Sequence, residues 1–214
     1  MDYSYWDNYY TEDNAPKNPS QFALDVLSYL KKGDRLAELG CGNGRDALFF
    51  ASNNIKVLAI DQSNAAISNL KANNLKRNIQ FVADNFLSTE VLKVNSFNYI
   101  YSRFTLHSIT EEEENILLEN VYNSLRENGK FFVEARSTKD EIFGLGQKVG
   151  KNAYIYNDHY RRFIVLEELT NKLKKIGFFI EYILESENYA VYKDQNPVVI
   201  RVIAQKSNIK LLSI

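Results

Sequence analysis

The segment LAELGCGNGRDALFF, residues 36–50, restricts the possible folds more than any other part of the chain. An apolar run typical of a buried strand is followed by Gly40, Gly42 and Gly44, and apolar residues then return with helical spacing. A strand, a glycine turn and a helix in this order are typical of a parallel sheet that binds a ligand at the turn. Gly40 and Gly42 would let the backbone turn tightly and approach that ligand without a side chain in the way.

Strand and helix patterns alternate along the rest of the chain, with no internal repeat. The alternation predicts an α/β fold: a Rossmann-like, doubly wound, seven-stranded sheet with helices on both faces. The last two strands flank a polar loop and suit an antiparallel C-terminal hairpin. Ser20, Ser63 and Thr110 are predicted helix N-caps, and Gly177 is a predicted left-handed C-cap. The predicted strands are RLAEL, KVLAID, IQFVAD, FNYIYS, KFFVEARS, FFIEYILES and VVIRVIAQ.

Length and charge bound the organisation of the chain. At 214 residues it suits one domain, 1–214, and in it residues 137–164 lack clear periodicity and are a predicted substrate lid. The net charge of -1 provides no basic field, so we expect neither nucleic acid nor a membrane as partner. The single cysteine, Cys41, excludes an internal disulfide and a cysteine-rich metal site. With neither a secretory signal nor an apolar span in the sequence, we expect a cytoplasmic monomer or homodimer.

Three predicted strand ends carry polar groups that could bind a nucleoside. The glycine turn ends the first strand, Asp61 ends the second with a carboxylate suited to ribose hydroxyls, and Asp84-Asn85 end the third with groups that suit adenine. The alternative is that Asp61 and Asp84 only cap helices. Arg45 departs from the dinucleotide fingerprint, and a phosphate-binding Gly-Lys-Ser/Thr sequence is absent.

With these motifs, the chain resembles class I S-adenosylmethionine-dependent methyltransferases from about Trp6 to Gln205. ELGCGNG is similar to the first motif of that family, AIDQS to the second, and ADNF to the adenine-binding stretch. The resemblance implies S-adenosyl-L-methionine as cofactor, S-adenosyl-L-homocysteine as product, and a cofactor cover within residues 1–20, where Tyr9 could also shield the cofactor. The cofactor-binding residues that it implies are Trp6, Tyr10, Glu38, Gly40, Gly42, Arg45, Asp61, Gln62, Asp84, Asn85, Phe86 and Ser102.

The acceptor site is predicted from basic residues near the fourth and fifth strand ends. Arg103 and His107 are the predicted catalytic residues, because both would lie near the transferred methyl group. If the lid closes over them, the local positive charge implies an anionic acceptor. Glu134 either positions Arg136 or touches the ligand, and His107 could instead lie at the surface. The predicted substrate-binding residues are Arg136, His159, Tyr160, Arg161 and Arg162, although Arg161 and Arg162 would point to opposite sides of an extended segment.

These observations predict methyl transfer to an oxygen of a small, anionic acceptor that is phosphorylated or nucleotide-linked. YSRFTLHSI stands where relatives that methylate amino nitrogens carry Asn/Asp-Pro-Pro-aromatic, and it is similar to a stretch in bacterial small-molecule and sugar-precursor enzymes. The resemblance suggests a role in surface-polysaccharide (capsule) biosynthesis. His107 would act as a base towards a hydroxyl or would only orient the acceptor. The alternatives are a non-catalytic cofactor-binding protein, a thiol- or metalloid-detoxifying methyltransferase and, less favoured, a nicotinamide-dependent oxidoreductase.

Overall fold

The computed structural model describes residues 15–207 and contains one large mixed sheet and one small antiparallel sheet. The large sheet has the strand order β3-β2-β1-β4-β5-β10-β9, with β10 antiparallel to both of its neighbours. This arrangement confirms the predicted Rossmann-like fold with a C-terminal antiparallel hairpin. The strands of the large sheet are β1 (Arg35–Leu39), β2 (Lys56–Asp61), β3 (Ile79–Ala83), β4 (Phe97–Arg103), β5 (Leu125–Arg136), β9 (Phe178–Ser186) and β10 (Val199–Lys206).

Helices cover both faces of the large sheet, and the predicted caps hold their ends. The Ser20 hydroxyl accepts a hydrogen bond from the Ala23 N–H, and Thr110 and Glu113 form a reciprocal capping box. Gly177 ends the last helix with φ 118°, in the left-handed region. The helices are α1 (Gln21–Val26), α2 (Arg45–Ser52), α3 (Asn64–Asn73), α4 (Glu111–Ser124) and α5 (Leu166–Ile176), with 3₁₀ helices at Leu27–Tyr29 and Leu106–Ser108.

Two packed clusters form the core, one on each face of the sheet. One cluster includes Ile100 and Leu118, under α4 and α5, and the other includes Phe50 and Tyr101, under α1, α2 and α3. Among residues 15–207, no helix is long and apolar enough to span a membrane.

The structure differs from the sequence prediction in the segment between β5 and α5. The sequence shows no clear periodicity here, but residues 147–162 of the predicted lid form the small sheet of β6 (Gln147–Gly150), β7 (Ala153–Tyr156) and β8 (His159–Arg162). Two-residue loops join these strands, and the second has positive φ at both Asn157 and Asp158, as a tight hairpin turn requires. The fifth strand also begins earlier than predicted, directly after α4.

Strand register brings the predicted ligand-binding positions together. Leu39, the last residue of β1, pairs with Ile60 of β2 and Ser102 of β4. The next residues along each strand, Gly40, Asp61 and Arg103, therefore lie side by side at the carboxyl edge of the sheet. Ligands bind at this edge in doubly wound folds.

Candidate functional site

The glycine turn between β1 and α2 is held in a conformation that side chains would disrupt. Gly40 and Gly42 have φ 70° and 53°, in the left-handed region. A Cβ at Gly40 would lie 2.4 Å from Cγ2 of Thr105, which is too close for any carbon contact. The turn therefore needs glycine at Gly40 for two reasons, its backbone conformation and the proximity of Thr105.

A cavity of about 250 Å³ lies between this turn and the carboxyl ends of β4 and β5. It lies at the carboxyl edge of the sheet, where the sequence predicts the ligand site. Of the predicted residues, it brings together Glu38, Gly40, Arg45, Asp61, Gln62, Phe86, Arg103, His107 and Arg136. The remaining lining residues are Ala15, Pro16, Cys41, Asn43, Asp46, Phe104, Thr105, Ser108, Ala190, Tyr192, Gln195 and Pro197.

Asp61 both braces the glycine turn and lines the cavity. Its Oδ2 accepts a hydrogen bond of 2.7 Å from the Gly42 N–H, and its Oδ1 accepts one of 2.9 Å from the Ser63 N–H. The alternative of a purely structural carboxylate is thus correct in part. A carboxylate has about four acceptor positions, so these two hydrogen bonds do not by themselves exclude a ligand at Asp61. Gly42 contributes its N–H to Asp61 and does not itself line the cavity.

Glu38 presents a buried carboxyl group to the same cavity. Burial raises its pKa well above the ordinary value, and the nearby Asp46 and Asp61 raise it further. Its Oε2 is buried and has no hydrogen-bond partner among residues 15–207. This oxygen fits a ligand that supplies an N–H donor or a cation, as the ammonium group of S-adenosylmethionine would.

The predicted adenine end of the site is only partly in the cavity. Phe86 is buried and lines it, but Asp84 and Asn85 lie beside it in the turn after β3. Asp84 Oδ1 accepts from the Asn85 N–H at 2.8 Å, and Asn85 Oδ1 accepts from the Leu87 N–H at 3.0 Å. These two side chains thus shape the turn that holds Phe86. Ser102 is fully buried behind the wall and hydrogen-bonds with Thr105.

Arg103 enters the cavity from the end of β4 and is held by Glu134. Its Nε forms an ion pair with Oε1 of Glu134 at 2.8 Å, and Oε2 of the same carboxylate accepts a 2.7 Å hydrogen bond from Arg201 Nε. Burial alone would lower the pKa of the Arg103 guanidinium, but Glu134 more than offsets this and holds that pKa above its ordinary value. No residue among 15–207 accepts a hydrogen bond from the terminal nitrogens of Arg103. Glu134 therefore positions Arg103, and the expectation that it would position Arg136 or touch the ligand is wrong.

His107 lies in the 3₁₀ helix after β4 and is only 5% exposed, so it is not a surface residue. Burial lowers its pKa well below the ordinary 6.5, and the positive charges of His159, Arg136, Arg161 and Arg103 lower it further. Its Nδ1 is buried and has no hydrogen-bond partner among residues 15–207. The imidazole is therefore neutral near pH 7 and keeps one nitrogen available to a ligand.

Arg136, the last residue of β5, lines the cavity and links the segment after β5 to the segment between β9 and β10. One terminal nitrogen donates to Asp140 at 2.9 Å, and the other donates to Oε1 of Gln195 at 3.0 Å. The ring of Phe104 lies beneath both arginines, 4.3 Å from the guanidinium carbon of Arg103 and 5.9 Å from that of Arg136. Phe104 has φ 56°, which is a strained conformation for a bulky residue and is typical of functional sites.

The structure places the predicted substrate-binding residues of β8 behind the acceptor end of the cavity. His159 is buried, and its ring centre lies 6.5 Å from that of His107. Arg161 donates to the Tyr156 carbonyl at 3.0 Å, and Tyr160 is half-buried. None of these three side chains lines the cavity.

Arg162 is not at the acceptor site, which corrects its predicted role. Its guanidinium is buried, donates to the carbonyls of Ile109 (2.8 Å) and Leu106 (3.2 Å), and pairs with Glu114. Arg162 therefore ties β8 to the 3₁₀ helix that carries His107. A substrate contact is unavailable to it because these partners already surround its charge.

The N-terminal cover is described only from residue 15 onward. Trp6, Tyr9 and Tyr10 lie outside the described residues. Ala15 and Pro16 line the cavity, and the Asn43 side chain donates to the Pro16 carbonyl at 2.8 Å. The segment is also tied to α2 because Arg45 donates to the Asn18 carbonyl at 3.2 Å.

Sequence reasoning missed Asp46, Phe104 and Gln195. Asp46 is buried and accepts hydrogen bonds from the Ser20 N–H, the Ser20 hydroxyl and the Tyr101 hydroxyl at 2.7, 2.7 and 2.9 Å. The acid directly after Arg45 in a helix N-terminus was the available signal for Asp46. Neither Phe104 nor Gln195 has a local sequence signal. Among residues 15–207, no cluster of three or more His, Cys, Asp or Glu side chains could hold a metal ion.

The strand order, the glycine turn and the cavity define the class I methyltransferase fold. Residues 36–129 match the family model of a methyltransferase domain. A search of curated proteins found no match. The sequence-based resemblance is thereby supported by a family match over residues 36–129 and by the fold.

Solved structures share this fold across nearly the whole chain. An S-adenosylmethionine-dependent methyltransferase of Methanosarcina mazei is 18% identical, with a TM-score of 0.75 over 86% of this chain and 97% of that one. One from Mesorhizobium loti is 18% identical, with a TM-score of 0.70 over 90% and 99%. The Burkholderia thailandensis 1,6-didemethyltoxoflavin-N1-methyltransferase, solved with its substrate and S-adenosylhomocysteine bound, is 16% identical, with a TM-score of 0.66 over 87% and 77%. Two of these three proteins are described as dependent on S-adenosylmethionine, the predicted cofactor, and the third was solved with S-adenosylhomocysteine, the predicted product.

Proposed function

We propose that this enzyme transfers the methyl group of S-adenosylmethionine to an oxygen of a small, anionic acceptor. The observation that carries the proposal is the guanidinium of Arg103, whose terminal nitrogens have no acceptor among residues 15–207 although they enter the cavity. His107 lines the same cavity, and its buried Nδ1 has no hydrogen-bond partner among residues 15–207. Terminal guanidinium nitrogens that lack partners are best satisfied by the oxygens of a phosphate or carboxylate.

The charge balance around the cavity supports an anion at Arg103 in particular. Arg136 already donates to Asp140 and Gln195, and Glu134 is shared between Arg103 and Arg201. Arg201 is also paired with Asp25 at 2.6 Å, so Arg103 is the member of this group whose terminal nitrogens lack a carboxylate partner among residues 15–207. A phosphate group on the acceptor would bind these nitrogens. We propose phosphorylated or nucleotide-linked compounds as acceptors, and precursors of a bacterial surface polysaccharide, including capsule, as the setting that the sequence resemblance suggests.

The cofactor would occupy the end of the cavity next to the glycine turn. Glu38 would bind its ammonium group, Asp61 its ribose hydroxyls and Phe86 its adenine, while Gly40 leaves room for close approach. When bound, S-adenosylmethionine supplies a methyl group on a sulfonium, a leaving group that needs no protonation. The protein therefore contributes mainly proximity and alignment.

His107 would accept the proton of an acceptor hydroxyl through Nδ1. Its low pKa keeps the imidazole neutral and able to accept, and an anion bound nearby would raise that pKa towards the working pH. Arg103 would hold the anionic group so that the hydroxyl faces His107. Phe104 separates the two arginines and fixes the position of Arg103 by stacking.

Methyl transfer from labelled cofactor to matched phosphorylated and unphosphorylated acceptors tests the proposal. We expect transfer to phosphorylated members only, with the methyl group found on oxygen by mass spectrometry and NMR of the product. Arg103→Met should raise the acceptor KM by about tenfold or more and leave the affinity for S-adenosylhomocysteine unchanged. Arg126→Met, at an exposed arginine outside the cavity, is the matched control. Equal methylation of both members of each pair would refute an anionic acceptor.

A further inference from the structure

The connection between β9 and β10 forms one wall of the acceptor end of the cavity. Ala190, Tyr192, Gln195 and Pro197 all line it. The backbones of Tyr192 and Gln195 exchange two hydrogen bonds of 3.0 Å, which close the connection into a tight turn. These contacts give the wall a fixed shape before any ligand binds.

Two further contacts anchor this wall to the ion pairs beneath the cavity. Arg201, which binds Glu134, also donates to the Tyr189 carbonyl at 2.9 Å and stacks on the Tyr189 ring. Asn196 donates to Asn188 at 2.9 Å across the base of the connection. The position of the wall is therefore coupled to the carboxylate that holds Arg103.

The orientation of the Gln195 amide follows from its partner. An arginine only donates hydrogen bonds, so the atom that Arg136 contacts at 3.0 Å must be the carbonyl oxygen of Gln195. The Nε2 group is then the part of the amide that remains for a ligand. No residue among 15–207 accepts a hydrogen bond from it.

We propose that Gln195 is a specificity-determining residue that donates from Nε2 to an uncharged oxygen of the acceptor. This inference rests on the proposed function and narrows it. The acceptor carries a hydroxyl or carbonyl oxygen in addition to the anionic group held by Arg103, as an ester of phosphate with a polyol or nucleoside does. Gln195 is exposed, so an acceptor that carries such an oxygen gains one hydrogen bond in place of water, and an acceptor that lacks it does not.

Two substitutions distinguish the hydrogen bond that Gln195 would donate to the acceptor from the one that it accepts from Arg136. Gln195→Glu keeps an oxygen for Arg136 and removes the donor, whereas Gln195→Leu removes both. Asp194→Asn is the matched control, since Asp194 is exposed in the same turn and does not line the cavity. Each protein is saturated with S-adenosylhomocysteine and titrated by calorimetry with inorganic phosphate and with a panel of sugar, nucleoside and aryl phosphates. Acceptor KM and kcat are measured in parallel.

We expect the wild-type protein and Asp194→Asn to bind at least one polyol or nucleoside phosphate about tenfold more tightly than inorganic phosphate. Gln195→Leu should keep phosphate binding and lose this preference. Gln195→Glu should raise the acceptor KM with little change in the KM for S-adenosylmethionine. An unchanged preference in Gln195→Leu, or wild-type kinetics in Gln195→Glu, would overturn the role of Gln195 alone. If no phosphate compound binds the wild-type protein, the proposed anionic acceptor fails, and the role of Gln195 fails with it.

Discussion

One acidic side chain and two basic side chains distinguish the two ends of the cavity. Glu38, Arg103 and His107 each present polar atoms that no residue among 15–207 satisfies. The acid lies next to the glycine turn, and the two basic groups follow β4. Because buried polar groups are normally paired, each end is suited to a ligand group of complementary charge, a cation at Glu38 and an anion at Arg103.

Replacement of His107 should affect catalysis far more than cofactor binding. We expect His107→Ala to lower kcat by about 10²–10⁴-fold if the acceptor is a hydroxyl, since a positioned base contributes that much. The dissociation constant of S-adenosylhomocysteine should stay within about twofold of wild type. Rapid-quench assays at saturating acceptor measure the first quantity, and calorimetry measures the second. An unchanged kcat would remove His107 from the mechanism.

The pKa of His107 should lie well below 6.5 in the free enzyme and rise when an anion binds. Burial and four nearby positive charges disfavour the imidazolium, and a bound anion offsets those charges. Because the unfolded chain would bind the proton more readily, this residue makes the folded state less stable as pH falls below about 6.5. NMR titration of ¹⁵N-labelled imidazole nitrogens, with and without phosphate, measures both values. His107→Gln assigns the signal, because the chain has only 2 histidines; a free-enzyme pKa near 6.5 would contradict the prediction.

Glu134 should be a major contributor to stability. It is fully buried between Arg103 and Arg201, so its neutralisation leaves Arg103 without a carboxylate partner among residues 15–207 and Arg201 with Asp25 alone. We expect Glu134→Gln to lower the free energy of unfolding by about 3–5 kcal/mol, the usual cost when one partner of a buried pair is removed. Urea denaturation measures the change. Glu181→Gln, which removes the partner of Lys130 at the surface, should cost less than about 1 kcal/mol. Equal losses for the two variants would mean that the buried charges are compensated elsewhere.

Among the individual elements of the site, the turn after β1 should tolerate substitution least. Gly40→Ala should weaken S-adenosylhomocysteine binding by more than about tenfold, because the new Cβ would displace Thr105 and reshape the cavity. Calorimetry on the folded variant measures this change.

Gly33→Ala is the matched control for Gly40→Ala. Gly33 also has positive φ, 87°, but a Cβ there would meet nothing within 4 Å. This control should cost about 1 kcal/mol of stability and leave ligand affinity intact. Equal affinity losses in both variants would show that backbone strain, and not contact with Thr105, controls the site.

The elements that sequence predicted correctly carry strong local signals. Buried parallel strands read as continuous apolar runs, and caps such as Thr110 with Glu113 mark helix ends. The small sheet of β6, β7 and β8 was missed because its strands are short and β6 is wholly exposed, so no alternation of polar and apolar residues appears. Its available signal was Asn157-Asp158, a pair that tolerates positive φ and is typical of two-residue hairpin loops.

The sequence predicts those residues of the candidate site that can be recognised from their type and their position at the end of a strand. Gly40, Asp61, Arg103 and Arg136 follow from their positions at the ends of strands that the sequence shows. The partner of Arg103 depends on tertiary contact, since Glu134 lies 31 positions further along the chain, and the sequence does not show which arginine it meets. The place of Gln195 in the cavity likewise depends on the shape of a polar loop, for which no periodic pattern exists.

For the molecule as a whole, the cavity is a meeting point of segments that are distant in the chain. The N-terminal segment at Ala15 and Pro16, the turn after β1, the ends of β4 and β5, and the β9–β10 connection all border it. A ligand that contacts them together should stabilise the entire fold, because it binds the folded state and not the unfolded chain.

Thermal unfolding should therefore report cofactor binding as a global effect. At about 100 times its dissociation constant, S-adenosylhomocysteine adds about 2.7 kcal/mol, which raises Tm by roughly 5–10 °C for a chain of this size. Asp61→Asn should have a somewhat lower Tm without ligand, since its amide oxygen can still accept from the Gly42 N–H but its NH2 group cannot accept from the Ser63 N–H. Its shift with ligand should be several-fold smaller, because one acceptor for the ribose hydroxyls is lost. Differential scanning calorimetry over a range of ligand concentrations measures both proteins. If the ligand raises the Tm of Asp61→Asn as much as that of the wild-type protein, Asp61 only supports the glycine turn. If the ligand does not raise the Tm of the wild-type protein, the cofactor does not bind in this cavity.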